Sequence, residues 1–279
     1  MKSGIRFLAS ISLALILACS FIIVVIGQEP APMTSQPPEG ASARGVVTYV
    51  KGSVKKKQVD SLEWRNAYEK SEVYSGEKVK TFEESRAEME LRELDVIRLA
   101  PNTTIDIIKL YEETKEHRDD TQIDLLEGDL WAQVGKVSAD ASFEINAPVA
   151  GSAITGTSLR ISVDADSSTQ LKVYAGEVKI TNAPERKDLM PQPLPVVTPT
   201  HGQTPGSIQG PTSVQGPTSV AGPHSVTLEE WVYIVKNMQQ VTIDSRGQVL
   251  SSGKFKRSDP EEQTDWVKWN KERDKLLNR

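Results

Sequence analysis

The segments QIDLLEGDLWAQVGK (residues 122–136), SFEINAPVAGSAITGTSLRISVD (142–164) and TQLKVYAGEVKITN (169–182) decide the fold. Successive side chains of a β-strand point to opposite faces, so a period of two in hydrophobicity predicts strands with one apolar face. The apolar positions with this period are Ile123, Leu125; Leu130, Ala132, Val134; Leu159, Ile161, Val163; Leu171, Val173; and Val178, Ile180. The pairs Glu127-Gly128 and Ala175-Gly176 interrupt the runs as turns or bulges would. The pattern predicts an antiparallel β module, and nothing in it indicates catalysis.

The same region resembles the FecR family, extracytoplasmic domains named after a ferric-citrate transport regulator. The family's LxxGxxWxxV segment is matched by Leu125, Gly128, Trp131 and Val134. Its P-x-A-x-x-x-x-RGTEF-x-V segment is matched by Pro148, Ala150, Gly156 and Thr157, with Leu159 at the place of the Phe. Its V-x-x-GEV segment is matched by Val173, Gly176, Glu177 and Val178. Upstream, an LxPNT-type segment is matched by Leu99, Pro101, Asn102 and Thr103, after Gly76, Val79, Thr81, Ala87 and Leu91. Thr155 and Ser158 replace the family's usual Arg and Glu.

The resemblance implies an extracytoplasmic module that works through protein contact. The regulator that names the family also has a cytoplasmic domain that contacts a sigma factor. Here only Met1–Arg6 precede an apolar run. The expectation is therefore a chain without the family's cytoplasmic sigma-regulator domain, whose signalling would pass through a second membrane protein.

Short strands separated by turn signals predict the fold class over residues 44–183. We expect an all-β domain, an antiparallel β-sandwich or rolled β-barrel of about a dozen short strands. Trp131 is expected to be a core residue on an inward strand face rather than a platform for ligand stacking. Gly156 is expected to adopt a positive φ or to approach another backbone segment closely.

The N-terminal segment Phe7–Gly27 is a continuous run of apolar and small residues. At about 1.5 Å per residue it is about 31 Å long as a helix, which matches a hydrocarbon core. Lys2 and Arg6 precede it, so the positive-inside rule places the bulk of the chain outside the cytoplasm. A signal anchor, residues 1–27, is the favoured interpretation. A cleaved signal peptide and lipidation of Cys19 remain alternatives.

Two segments of biased composition flank the β region. Residues 28–43 are rich in Pro, Ser, Glu and Gly and predict a flexible tether. Residues 184–222 are rich in Pro, Gly, Ser and Thr and end in the hexads PGSIQG, PTSVQG and PTSVAG. Hexads can build a β-helix, but proline in each removes a ladder donor, which favours a linker.

Residues 223–279 predict a helix–hairpin–helix segment. Thr227 to Glu230 fits a capping box, and Leu228, Trp231, Val232, Val235 and Met238 share a helical stripe. Val241–Asp244 and Gln248–Leu250 suit a hairpin. Asp259 could cap a last helix, with Pro260 at its first position. Partner binding is predicted for Trp231, Trp266 and Trp269, although packing within the protein is the alternative.

Composition excludes several functions. The net charge is −5, and no basic stripe interleaves with aromatics, so no nucleic-acid partner is expected. Cys19 is the single cysteine and the three histidines lie in polar sequence, so no metal or other cofactor is expected. No catalytic signature such as GxSxG, HExxH or a Walker sequence occurs, which argues against an enzyme.

Two functional hypotheses follow. The first is a single-pass protein of the cytoplasmic (inner) membrane, with its bulk in the periplasm, that acts as a sensor or signalling component by contact with an envelope protein. The second is a structural or wall-binding scaffold that uses the same β fold passively. The sequence leaves the small-molecule ligand, if there is one, unidentified.

Overall fold

The computed structural model describes residues 45–92, 95–113, 119–184, 189–198 and 230–277. The predicted anchor at residues 1–27, the tether at 28–43 and the hexads at 205–222 lie outside the described residues, so those expectations stay predictions. Among the residues that are described, no helix is both long and apolar enough to cross a membrane.

The described chain is mostly β, and its strands form one large mixed sheet that folds into two halves, sheet 1 and sheet 2. Sheet 1 contains, in spatial order, β4 (Glu72–Val73), β1 (Gly45–Lys51), β6 (Arg86–Arg92), β7 (Asp95–Leu99), the second half of β9 (Asp119–Val134), β12 (Thr157–Val163), β13 (Thr169–Ala175), β17 (Gln239–Ile243) and β18 (Val249–Lys254). Sheet 2 contains β3 (Arg65–Asn66), β2 (Val54–Gln58), β5 (Glu77–Thr81), β8 (Thr104–Glu113), the first half of β9, β10 (Ala141–Ala147), β11 (Ala150–Ile154), β14 (Glu177–Thr181), β16 (Val232–Lys236) and β15 (Gln192–Pro193).

The expectation of an all-β fold is confirmed in its coarse form, but the pairing is mixed rather than purely antiparallel. β10 runs parallel to β9, and β15 runs parallel to β16. The length of β9 explains the first parallel pair. β9 pairs in both sheets, and after its end the chain returns to the start of β9. β10 therefore runs in the same direction as the first half of β9.

One apolar core lies between the two sheets. The alternating positions of the deciding segments all contribute to it, among them Ile123, Leu125, Leu130, Ala132, Leu159, Ile161, Leu171, Val173, Val178 and Ile180. Burial of these side chains supplies most of the driving force for folding, at about 25 cal/mol for each Å² of apolar surface. The period of two in the sequence therefore identifies the inward faces correctly.

Glycines stand where the chain crosses between the sheets. Gly128, in the middle of β9, has φ +94°, and a Cβ there would lie 2.6 Å from the Thr103 Cα. Gly156 links β11 of sheet 2 to β12 of sheet 1 with φ +111°, which confirms the expected positive φ. These dihedrals strain any residue with a Cβ, so the corners of the fold depend on glycine.

The C-terminal region departs from the helix–hairpin–helix expectation at its first element. The expected helix over Leu228–Met238 is wrong, because Val232–Lys236 is strand β16 and pairs with β14. The run of β-branched and aromatic residues in β16 fits a pleated surface, and the open edge of β14 supplies backbone partners that a helix would not use. The expected hairpin is confirmed as β17 and β18.

β17 also pairs with β13, so the strands after residue 230 extend both sheets. They do not form the separate segment that the sequence analysis placed at 223–279.

The chain ends in the expected helix, α1 (Asp265–Leu277), preceded by a 3₁₀ helix (Pro260–Gln263). Asp259 precedes the 3₁₀ helix but makes no side-chain cap; its carboxylate accepts a hydrogen bond from the Lys256 amide at 2.7 Å. Thr264 instead stands before α1, and its hydroxyl accepts from the Val267 amide at 3.4 Å.

Candidate functional site

The outer face of sheet 1 carries a row of charged and aromatic side chains. Strand register places Glu88, Arg98, Trp131, Arg160 and Lys172 next to one another across five strands. We call these residues the cross-strand row. Each alternates with core residues, so the same period of two that directs Leu130 and Ala132 inward directs Trp131 outward.

Four members of the row, all but Arg160, are buried although they face away from the core. Arg98 is 0% exposed and Lys172 is 1% exposed. Charged groups rarely lose their water without partners, so burial of this kind requires a covering element that supplies opposite charges. α1 and the 3₁₀ helix are that element.

Asp274 of α1 makes the central contacts with the row. Its carboxylate lies 2.5 Å from Nη1 of Arg98 and accepts a hydrogen bond from Nε1 of Trp131 at 3.0 Å. The hydroxyl of Ser158 donates to the same carboxylate at 3.3 Å. One helical carboxylate therefore joins side chains from three strands of sheet 1.

Glu88 makes a second link between the row and α1. Nε of Arg98 and Nε of Arg273 each donate to its carboxylate at 2.6 Å, and the Thr48 hydroxyl donates at 2.8 Å. Burial alone would raise the pKa of Glu88, but the hydrogen bonds from Arg273 and Arg98 outweigh it and hold the pKa at about 2. Glu88 therefore stays ionised over the physiological range.

The 3₁₀ helix closes the other end of the row. Glu262 accepts from Nζ of Lys172 at 3.3 Å, from the Tyr174 hydroxyl at 3.0 Å and from Nζ of Lys271 at 3.0 Å. Burial, and then the negative charge of Glu262, raise the pKa of Tyr174. Tyr174 therefore remains a neutral donor, and its ring stacks on Trp131 at 4.4 Å between centroids.

Aromatic rings fill the space between the charges. Trp266 and Trp269 of α1 stack at 5.5 Å, and the Trp266 indole donates to Asp129 at 3.0 Å. The guanidinium of Arg86 lies 5.5 Å from both indole rings, within reach of a cation–π interaction. The α1 contact also has an apolar part: Ala100, Trp131, Trp266 and Val267 are buried in it, and Tyr174 and Trp269 pack against them.

A cleft of about 610 Å³ opens beside the C-terminal half of α1. It is lined by Gly156, Ser158, Tyr174 and Asp274 and by the cations Lys136 and Arg257, together with Gln133, Val134, Thr155, Thr157 and Ala175.

Comparison with known proteins finds a family model that matches part of this chain. The sequence model of the family described as FecR protein matches residues 77–179. These residues form a FecR domain. No curated protein matches the chain.

The solved structures that are similar to the chain include two of one protein. Both are crystal structures of a candidate anti-sigma factor from Parabacteroides distasonis ATCC 8503, at 1.65 Å and 2.50 Å resolution. Each is 12% identical to this chain, with a TM-score of 0.39, and the alignment covers 63% of this chain and 59% of that one.

The family match divides the site into two parts. Every member of the cross-strand row lies in the FecR domain, whereas the 3₁₀ helix and α1 lie outside the matched residues. The FecR domain therefore supplies the charged face, and the C-terminal extension of this chain covers it.

The three tryptophans predicted for partner binding are not brought together. Trp231 is buried in the core at 8% exposure, where it stacks on Tyr233 and donates to the Gly247 carbonyl at 3.0 Å. Trp266 and Trp269 lie side by side against the cross-strand row. All three make contacts within the protein, and their binding of a partner stays a prediction.

Sequence analysis missed the charged members of the site and misplaced Trp131. Trp131 is buried as expected, but on the outer face under α1 rather than in the core between the sheets. The signal was present: Trp131 alternates with the inward residues Leu130 and Ala132 and must point the other way.

Among the described residues, no cluster of His, Cys, Asp or Glu is arranged to hold a metal ion. All three histidines, His117, His201 and His224, lie outside the described residues.

Proposed function

We propose that this protein is a non-enzymatic signalling component of the cell envelope, held in the inner membrane by an N-terminal span, with its FecR domain in the periplasm. It acts by protein contact, and α1 is the element that moves. The observation that carries this proposal is that ion pairs and indole hydrogen bonds attach α1 to the FecR domain, beside a buried aromatic contact.

Such an attachment suits a reversible contact. When α1 detaches, Trp131 and Trp266 become exposed to water, but the charged side chains on α1 and on the row regain hydration, which offsets part of that cost. Switching needs an element with two states of similar free energy, which a partner can bias by binding one of them. The partner expected here is an envelope protein that presents carboxylates and aromatic rings to the exposed row.

The second candidate function is a permanent structural or wall-binding scaffold. The burial of Arg98 and Lys172 favours it, because separating a buried ion pair leaves uncompensated charge and is costly. On this alternative α1 never leaves the row, and partners would bind the outside of the assembled domain.

A photo-crosslinking amino acid in place of Ser158 distinguishes the signalling function from the scaffold function. Ser158 contacts α1 through Asp274, so in the closed state the crosslinker reacts within the chain. In cells, the signalling proposal predicts that Asp274→Asn converts part of this product into crosslinks with another membrane protein. Glu272→Gln makes the same change of charge at an exposed position of α1 and serves as the control.

Crosslinks that remain within the chain in every variant would contradict the signalling proposal and favour the scaffold. A partner captured equally with both variants would show that binding does not depend on the release of α1.

A further inference from the structure

The cleft beside α1 has an unbalanced charge. Lys136 and Arg257 line it, and neither has a carboxylate partner among the described residues. Both side chains are exposed, and they come from different parts of the chain: Lys136 follows β9, and Arg257 follows β18.

The one acidic residue among the described residues that line the cleft is already neutralised. Asp274 has an ion pair with Arg98 and accepts hydrogen bonds from Trp131 and Ser158. The remaining lining is rich in hydroxyl groups, supplied by Thr155, Thr157 and Ser158. Two free cations and several hydroxyl groups around one cavity form a setting that favours an anion.

The backbone gives this cleft a fixed shape. Gly156 turns between the two sheets at φ +111°, and a Cβ at Gly156 would lie 3.2 Å from the Lys136 Cα. This close approach holds the Lys136 segment against the corner that carries Thr155 and Ser158. A volume of about 610 Å³ falls in the usual size range of small-molecule sites.

We propose that the cleft binds a small anionic molecule that bears carboxylate or phosphate groups, with Lys136 and Arg257 as its cationic contacts. The bound anion is the stimulus of the signalling component, and that role rests on the function proposed above. The binding of an anion in the cleft does not depend on that function.

The position of Asp274 fixes the sign of the effect on α1. An anion in the cleft adds a negative charge beside the carboxylate that holds α1 to Arg98, and like charges at short range repel. Occupancy therefore favours the released state of α1. Because coupling is reciprocal, release of α1 strengthens anion binding by the same factor.

The test uses the purified full chain with two probes, inorganic pyrophosphate and glutarate, and with glucose as a neutral control. Binding is measured by calorimetry and by the fluorescence of the tryptophans, since Trp131 and Tyr174 adjoin the cleft. We expect one or both anions to bind, and glucose not to bind. Lys136→Gln with Arg257→Gln should weaken binding at least about tenfold, because each lost bond to a charged group is worth more than a neutral one.

The matched control replaces two exposed lysines outside the cleft, Lys179→Gln with Lys236→Gln, and removes the same charge. It should bind within about twofold of the unmodified chain, since neither lysine lines the cleft. Pyrophosphate binding alone would identify a phosphate site, and glutarate binding alone a carboxylate site. Either outcome supports the proposal.

Absence of binding by both anions would overturn the proposal, as would equal weakening in the two double variants, which would indicate attraction to net charge alone. These outcomes leave the α1 proposal standing, because crosslinking from Ser158 requires no added anion. Binding that leaves hydrogen exchange of α1 unchanged would retain the site and reject its role as the stimulus.

Discussion

The indole N–H of Trp131 donates a hydrogen bond to the carboxylate of Asp274 at 3.0 Å, across 143 positions of sequence. Trp131 lies in the LxxGxxWxxV segment of the FecR domain, and Asp274 lies near the end of α1. A buried indole N–H needs an acceptor, and here the acceptor belongs to the C-terminal extension. The contact therefore links a tryptophan of the FecR domain to the element that we propose to move.

We expect the contact between the row and α1 to require the guanidinium group of Arg98. Nε binds Glu88 and Nη1 binds Asp274, a geometry that a single ammonium group cannot reproduce. We predict that Arg98→Lys lowers the free energy of unfolding by about 2 kcal/mol, the value of a lost hydrogen bond between charged groups. Urea denaturation measures the change.

Arg65→Lys is the control for Arg98→Lys, because Arg65 pairs with Glu63 at 4.0 Å and their side chains are 49% and 76% exposed. Exposed pairs contribute little, so the cost should stay below about 0.5 kcal/mol. Equal effects of the two substitutions would mean that the buried fork has no special role.

Glu88 makes stability depend on pH in the acid range. Its folded pKa of about 2 lies below its ordinary value of 4.5, so the folded state holds the proton less tightly than the unfolded chain. The stabilisation is complete above about pH 4.5 and is lost as the pH falls towards 2. Between pH 7 and pH 3, the unmodified chain should lose about 2 kcal/mol more than Glu88→Gln.

Denaturation at both pH values tests this prediction, with Glu90→Gln, an exposed residue on the same strand, as the control. If Glu88→Gln and the unmodified chain lose the same stability on acidification, Glu88 is not the group that titrates.

The strands were predictable from the sequence because burial between two sheets imposes a period of two, and that period survives in the apolar residues. The pairing of the strands could not be predicted, because the hydrogen bonds between strands join backbone groups and do not depend on side-chain type. β16 shows the difficulty: Trp231, Val232 and Val235 fit a helical stripe as well as a strand, and only the open edge of β14 decides between them.

Gly128 tests the role of the sheet corner. A Cβ there would meet the backbone of Thr103 at 2.6 Å and the Asn102 carbonyl oxygen at 2.7 Å, in addition to the strain of φ +94°. Gly128→Ala should destabilise the protein by about 3 kcal/mol or more, since backbone must shift.

Gly76→Ala provides the matched control for Gly128→Ala. Gly76 also has a positive φ, +75°, but a Cβ would meet only the end of the Gln58 side chain at 3.6 Å. It should cost about 1 kcal/mol from dihedral strain alone. Melting temperatures that rank the two variants in the reverse order would contradict the close approach at Gly128.

The C-terminal strands are expected to be required for folding. β16 and β17 pair with β14 and β13, and Val235, Val241 and Ile243 belong to the common core. A chain that ends at Ala183 should therefore expose two sheet edges and part of the core, and should aggregate or melt well below the full chain. The expectation from sequence that residues 44–183 form a complete domain predicts the opposite result.

Circular dichroism and light scattering of the truncated chain test the requirement. A monomeric fragment that melts cooperatively at the temperature of the full chain would restore the boundary at residue 183.

The site was harder to predict than the fold because its parts are far apart in sequence and individually ordinary. Glu88, Arg98 and Lys172 each look like a solvated residue on the polar side of a strand. They become a site only because register aligns them and α1 covers them. Trp266 and Trp269 were recognised as unusual, but the sequence could not show that their partner surface lies within the same chain.

Hydrogen exchange of the α1 amides tests the central claim most directly. If α1 is a separately opening element held by charge, its amides exchange faster than those of β12 in the unmodified chain. Asp274→Asn should then accelerate exchange in α1 by about 100-fold, corresponding to about 3 kcal/mol for a broken buried pair, and leave β12 unchanged. Glu272→Gln should alter neither. Exchange of α1 and β12 at a common opening free energy in all three proteins would show that α1 unfolds only with the whole domain, and would contradict the account.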